Sequence, residues 1–435
     1  MPHTARRMVL PDSATSNRDR GRSATAATAW TTLAILSGLN LLNYLDRYIM
    51  SAVLTPMQKE LKIDDGDAGW AASAFMLGYF LTAPVFGWLG DRYPRKFLML
   101  AGVVVWSLAT AACGLAHSFA VLFAIRMVVG VGEACFVTMS PSWISDLFAA
   151  TRRNTALTLF YIAVPVGSAI GYTVGGQFAQ HGDWRHAFIF AGLPGVLFAL
   201  TLLLLREPPR GEADHLAADA ARHEHARPLE IARLLLNRRY SLLVWGYAAQ
   251  TFAIGAFAFW GPSFLNRVHQ LPQDRSSAIF GEMLAGTGLV ATLLGGFVAS
   301  SLRKRIHAGY VWVMAVSMIA AAPVSYFALS VADANWSLIG LGATMFFIFL
   351  PTGPVTTEIF EIVPVHLRAS AVALCTFVIH LFGDFSSPTA VGHISDHFGG
   401  DLQKGVLALP AVLLIGAVLW SVLIYFTRAP EEVVA

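Results

Sequence analysis

Apolar runs of about 20 residues, broken by short polar stretches, follow one another along almost the whole chain. A run of that length crosses the hydrocarbon of a bilayer as one helix. Twelve can be placed, near 30–56, 68–90, 96–116, 119–141, 155–179, 184–205, 240–264, 276–301, 309–330, 336–357, 370–393 and 405–427. Only one break is long. Arg206 to Arg239 is polar, carries Pro208, Pro209 and many charges, and divides the spans six and six. The pattern predicts an all-α membrane protein: a disordered cytoplasmic tail over 1–29, a six-helix half over 30–205, a cytoplasmic linker over 206–239, a second half over 240–427 and a tail over 428–435. A short amphipathic helix is expected in the linker near Leu229–Leu236. Pro351, Gly353 and Pro354 predict a bend in the tenth span.

Composition agrees. The chain is 56% hydrophobic and 13% charged, with a mean hydropathy of +0.58. Soluble domains carry about a quarter charged residues, so lipid must be the solvent here. The first 29 residues are Arg-rich without an apolar stretch, which is no secretory signal; the first span serves as its own insertion signal. Cys113, Cys135 and Cys375 lie in apolar runs and form no metal or disulfide pattern.

Charge fixes the expected orientation. Of 30 Lys and Arg residues, 22 fall on the tails and loops of one side. Six (Lys59, Lys62, Arg185, Arg267, Arg275, Lys404) fall on the other, and Arg47 and Arg126 lie inside spans. Basic residues accumulate on the cytoplasmic side, so both termini are expected there, in an inner membrane. This distribution also removes nucleic acid as a partner.

The halves repeat. Gly87, Asp91, Arg95 and Lys96 close the second span; Gly295, Ala299, Arg303 and Lys304 close the eighth at the same spacing. Asp146-Leu-Phe148 followed by Arg153 returns as Glu358-Ile-Phe360 followed by Arg368. Two repeated six-span halves with a site between them is a transporter plan. In the run Gly87 to Lys96, the glycines allow close helix packing. Asp91 can accept bonds from the N-terminus of another helix. Arg92, Arg95 and Lys96 hold the turn inside and can pair with acids on neighbouring loops. Gly87, Asp91, Arg92, Arg95, Lys96, Asp146 and Arg153 are therefore the expected gating set.

Charges inside spans are costly and need a partner or a wet cavity. Asp46 and Arg47 are adjacent, hence about 100° apart on the first helix. Arg126 and Glu133 are seven apart on the fourth, hence on one face. The two pairs overlap in depth, and Asp46 with Arg126 and Arg47 with Glu133 is the simplest complementary arrangement. Asp46, Arg47 and Glu133 are the expected proton-coupling residues, and Arg47, Arg126 and Glu133 the expected substrate-binding charge network; a purely structural network is the alternative. His380 and Asp384, four apart on the eleventh helix, are secondary candidates. Phe252, Phe257, Phe259 and Trp260 could line an apolar cavity.

The run Gly87 to Lys96 resembles the signature of the major facilitator superfamily. Arg126 to Glu133 resembles its fourth-helix motif, and Pro165 to Gly176 its fifth-helix glycine motif. Asn43-Tyr-Leu-Asp-Arg47, Gly130-Val-Gly-Glu-Ala134, Ser145-Asp-Leu-Phe148, Pro165-Val-Gly-Ser168 and Arg206-Glu-Pro-Pro-Arg-Gly211 together resemble the Spinster group, in the form of a bacterial member. The resemblance implies a lipid-like cargo. The expected function is proton-coupled transport of an amphipathic anion, a lysolipid or sphingolipid-like molecule, by alternating access. Small organic acids or drugs on the same scaffold remain the alternative cargo. No triad, phosphate loop or metal spacing is present, so no enzymatic activity, cofactor or metal is expected. The expected partners are membrane lipids, the amphipathic substrate and protons, and the expected state is a monomer.

Overall fold

The computed structural model describes residues 26–209, 230, 233–364 and 367–427. The expected tail 428–435 and most of 1–29 and of the linker lie outside them. The first half comprises α1 (Ala26–Ala52), α2 (Leu54–Leu61), α3 (Asp65–Arg92), α4 (Arg95–Cys113), α5 (Phe119–Leu147), α6 (Ala150–Gln180) and α7 (Trp184–Ala199). The second comprises α8 (Arg238–Arg267), α9 (Gln273–Arg303), α10 (Gly309–Ser330), α11 (Ala334–Phe349), α12 (Thr352–Ile362), α13 (Arg368–Ile379), α14 (Ser386–His397), α15 (Leu402–Val406) and α16 (Leu409–Thr427).

Eleven helical stretches among the described residues are long and apolar enough to cross a membrane. The 27-residue α1, whose apolar run is diluted by Asn40, Asn43, Asp46 and Arg47, supplies the twelfth crossing. Of the short helices, α11 with α12 makes one crossing, α13 with α14 another, and α15 with α16 the last.

Glycine sets the spacing within the first half. A Cβ on Gly130 of α5 would lie 2.0 Å from the Phe75 carbonyl oxygen of α3, so these backbones touch. Gly167 and Gly171 do the same for α6 against Leu41 and Leu45 of α1. The approach brings the charged residues of α1 and α5 into one layer.

Three local features differ from expectation. The first span stops at Ala52 and a separate helix, α2, follows, burying Leu54 and Met57 and closing at Lys62 with φ 54°. The tenth span breaks at Leu350–Pro351, where the bend was expected, but continues to Ile362, beyond 357. The eleventh is interrupted by a π-turn over His380–Asp384. In the linker, Leu234–Leu236 is a 3₁₀ turn; the rest of the expected 229–236 helix, save Glu230, lies outside the described residues or continues that turn.

The halves meet at the end away from the linker, called here the far end. The Gln273 side chain at the start of α9 donates to the Ala52 carbonyl at 2.7 Å, and its backbone N–H donates to Gln180 Oε1 at 2.9 Å. Ser73 of α3 lies 2.8 Å from Thr389 of α14. The Tyr172 hydroxyl of α6 donates to the Ala258 carbonyl of α8. Toward the linker end, α3 packs on α5 of its own half through Gly87 and Gly90, which face Thr138 and Met139. The bonds from Gln273, Ser73 and Tyr172 hold the halves together on the far-end side.

Candidate functional site

The charged residues of α1 and α5 lie between these ends. Arg47 Nη2 donates to Glu133 Oε2 at 2.8 Å. Glu133 is fully buried, while the Arg47 side chain keeps 24% of its exposure. The Arg47 guanidinium stacks on the rings of Phe75, at 4.6 Å, and Tyr44, at 4.9 Å. A desolvated cation over a ring face adds roughly 2 kcal/mol of attraction, so aromatic walls hold what the carboxylate does not. The Asn43 amide faces Glu133 from α1.

Asp46 points the other way, as its neighbouring position on the helix requires. It is 1% exposed and looks toward Trp106 and Thr110 of α4, outside full hydrogen-bond geometry. The expected ion pair between Asp46 and Arg126 is not formed: no Asp46–Arg126 contact falls within 4 Å. Arg126, 3% exposed, lies over the Phe75 ring at 5.3 Å, with Nε and Nη1 making no hydrogen bond. Phe75 is thus in cation–π range of both guanidiniums. One matched pair and one unmatched acid and base therefore share a single layer.

Across the inter-half space, His380 Nδ1 lies 2.8 Å from Asp384 Oδ2. The π-turn presents both to the space, a third exposed each. The His380 ring packs 6.1 Å from Phe80 of α3. Of the aromatic residues of the seventh span, most serve as packing residues rather than as cavity lining. Phe257, Phe259 and Trp260 are buried in packing, and Phe252 lines an apolar groove with Trp245 and Phe382. Their separations of five, two and one residues put them on more than one face of α8.

At the linker end, Arg95 is the hub. It donates to Asp146 at 2.7 Å, Glu207 at 3.1 Å and Ser142 at 3.1 Å. Glu207 also accepts the backbone N–H groups of Arg95 and Lys96 at 3.0 and 3.1 Å, capping α4, which Pro94 cannot do. Lys96 donates to the carbonyls of Leu203 and Leu205. Arg92 lies over the Trp88 ring at 4.2 Å. Asp91 and Asp146 border one small cavity with Gly87 and Gly90, and Arg153 sits in the first turn of α6. The second half departs from strict repetition: Arg303 pairs with Glu361 at 3.1 Å, and Glu358, the counterpart of Asp146, faces Arg239 at 3.6 Å.

The far-end contacts were missed in the sequence. Asp65, 4% exposed, takes two bonds from Arg267, at 2.7 and 3.1 Å, and one from Ser395 at 2.5 Å. Nothing local marks residues 202 apart as a pair. Nearby, outside the spans, Glu60 accepts from Trp184 at 2.6 Å and Arg185 at 3.0 Å. These bonds, that of Trp184 first, hold its carboxyl below the usual carboxylate range. Among the described residues no group of His, Cys, Asp and Glu could hold a metal.

Comparison with known proteins agrees with this architecture. Residues 36–388 match the Major Facilitator Superfamily. Protein spinster homolog 3 of Danio rerio is 36% identical over 383 residues, covering 84% of this chain and 76% of the relative. Protein spinster of Drosophila melanogaster is 32% identical over 397 residues, covering 88% and 64%. The crystal structure of a bacterial homolog to the human lysosomal transporter Spinster, in an inward-facing and unoccupied conformation, superposes with a TM-score of 0.84 at 23% identity. It covers 94% of this chain and 100% of that one. The chain belongs to the major facilitator superfamily and, within it, to the Spinster group of membrane transporters.

Proposed function

We propose that the protein carries a single-chain amphipathic anion, lysolipid-like, across the inner membrane in exchange or in company with protons. The observation that carries this reading is the layer around Phe75. There Arg47 is held by Glu133 yet keeps part of its side chain exposed, beside a buried carboxyl, Asp46, with no bonded partner. A guanidinium grips phosphate or carboxylate bidentately, and the tyrosine and phenylalanine rings around it suit an apolar tail. An ionised Asp46 needs a nearby guanidinium to turn toward it; a protonated one does not. Cargo and proton then contend for the same arginines, and linkage couples their movements.

In this reading the linker face is cytoplasmic, both termini lie there, and the conformation described is open inward. Asp91 docks on the N-terminus of α13 when the linker end closes. One chain contains the whole path, so a monomer suffices. A cysteine placed between 206 and 239 is expected to resist an impermeant thiol reagent applied outside intact cells; efficient labelling would reverse the topology. In purified protein, lysophospholipids are expected to displace a bound fluorescent lysolipid at concentrations at which sugars do not. Saturable sugar binding without lipid competition would replace this cargo with a small solute.

A further inference from the structure

The last turn of α14 carries Asp396, a position where the helix's own dipole disfavours an acid. Its carboxylate lies instead on the start of α3, in the other half. Oδ1 accepts the Asp65 N–H at 3.1 Å and Oδ2 the Gly66 N–H at 2.7 Å. These are two of the N–H groups that a helix leaves without internal partners. Backbones must come close for this. A Cβ on Gly66 would stand 2.7 Å from His393 Nδ1 and 2.8 Å from Asp396 Oδ2, and one on Gly392 would stand 2.2 Å from the Asp65 carbonyl oxygen.

The contact has an echo in the sequence. Gly87-Trp-Leu-Gly-Asp91 ends the second span at the linker side, and Gly392-His-Ile-Ser-Asp396 ends the eleventh at the far side. Each puts an acid four residues after a glycine at a helix C-terminus. Three-helix repeats of inverted topology relate these two spans by a two-fold axis in the membrane plane.

We infer that Asp396 is the far-end latch of the transport cycle, the inverted counterpart of Asp91: it holds α14 on α3 while the linker end is open and releases it when the far end opens. The acids around it, Asp64, Asp65 and Asp67 of α3, are answered by Arg267, which grips Asp65. His393 lies beside them, its Nε2 accepting from Trp70 at 3.2 Å. Asp396 thus rests on the helix N-terminus itself. The inference uses the proposed alternation of the two ends, and its test separates the two.

Spin labels on Lys62→Cys and Lys404→Cys, exposed on the far faces of opposite halves, report closure in lipid nanodiscs. Asp396→Asn keeps the shape but turns an amide N–H toward a backbone N–H. It is expected to lower the closed-to-open ratio at the far end by about tenfold, the scale of a lost charge-assisted bond. Gly66→Ala wedges the same contact from α3 and is expected to act in the same direction. Asp333→Asn, which caps α11 within its own half, is expected to change nothing. Unaltered distances in both Asp396→Asn and Gly66→Ala would overturn the latch, as would an equal shift in Asp333→Asn. A shift with Asp396→Asn and none with Asp91→Asn would remove the linker-end latch of the proposed mechanism and leave this one standing.

Discussion

Asp46→Asn is expected to abolish uphill accumulation of cargo driven by a pH gradient, by on the order of a hundredfold, the scale of losing an essential proton-transfer group. Cargo exchange at equal pH on both sides is expected to persist. Asparagine fills the same volume against Trp106 and Thr110 and costs little packing, so the fold survives. What it cannot do is gain and lose a proton between the two arrangements of Arg126. The paired assay in liposomes separates carrier from scaffold. If the variant still concentrates cargo against a gradient, the carrier is elsewhere, and His380 with Asp384 becomes the next site to remove.

Arg47→Ala is expected to damage both modes of transport and the stability of the protein. The side chain holds Glu133 at 2.8 Å and covers two rings. Its removal leaves a fully buried carboxylate without its ion pair. Breaking a buried pair from one side costs about 3–5 kcal/mol; Arg47 is partly exposed, so the lower part of that range applies. Adding Glu133→Gln removes the stranded charge. The double variant is expected to regain much of the lost thermal stability in detergent but none of the lysolipid affinity. A double variant that recovers binding would show that the arginine does not grip the headgroup.

The span pattern and the break at Pro351 were legible because both rest on local composition. So was the meeting of Arg47 with Glu133, since seven-residue spacing put Arg126 and Glu133 on one face of α5 at the depth of Arg47. The partner of Asp46 was not legible. Adjacent residues diverge by about 100°, which turns Asp46 toward α4, and Phe75, an apolar residue in an ordinary span, holds Arg126 by its ring. The π-turn at His380–Asp384 has no spacing rule of its own. The join of Asp65 to Arg267 and Asp396 depends on how two halves tilt, which no local spacing records.

Proton flux and lysolipid flux recorded together, in liposomes holding the unmodified protein, test the central claim most directly. An imposed pH gradient is expected to drive lysolipid uphill, and an imposed lysolipid gradient to move protons, with both couplings absent in Asp46→Asn. Lysolipid movement that ignores the pH gradient and carries no protons would contradict proton-coupled transport.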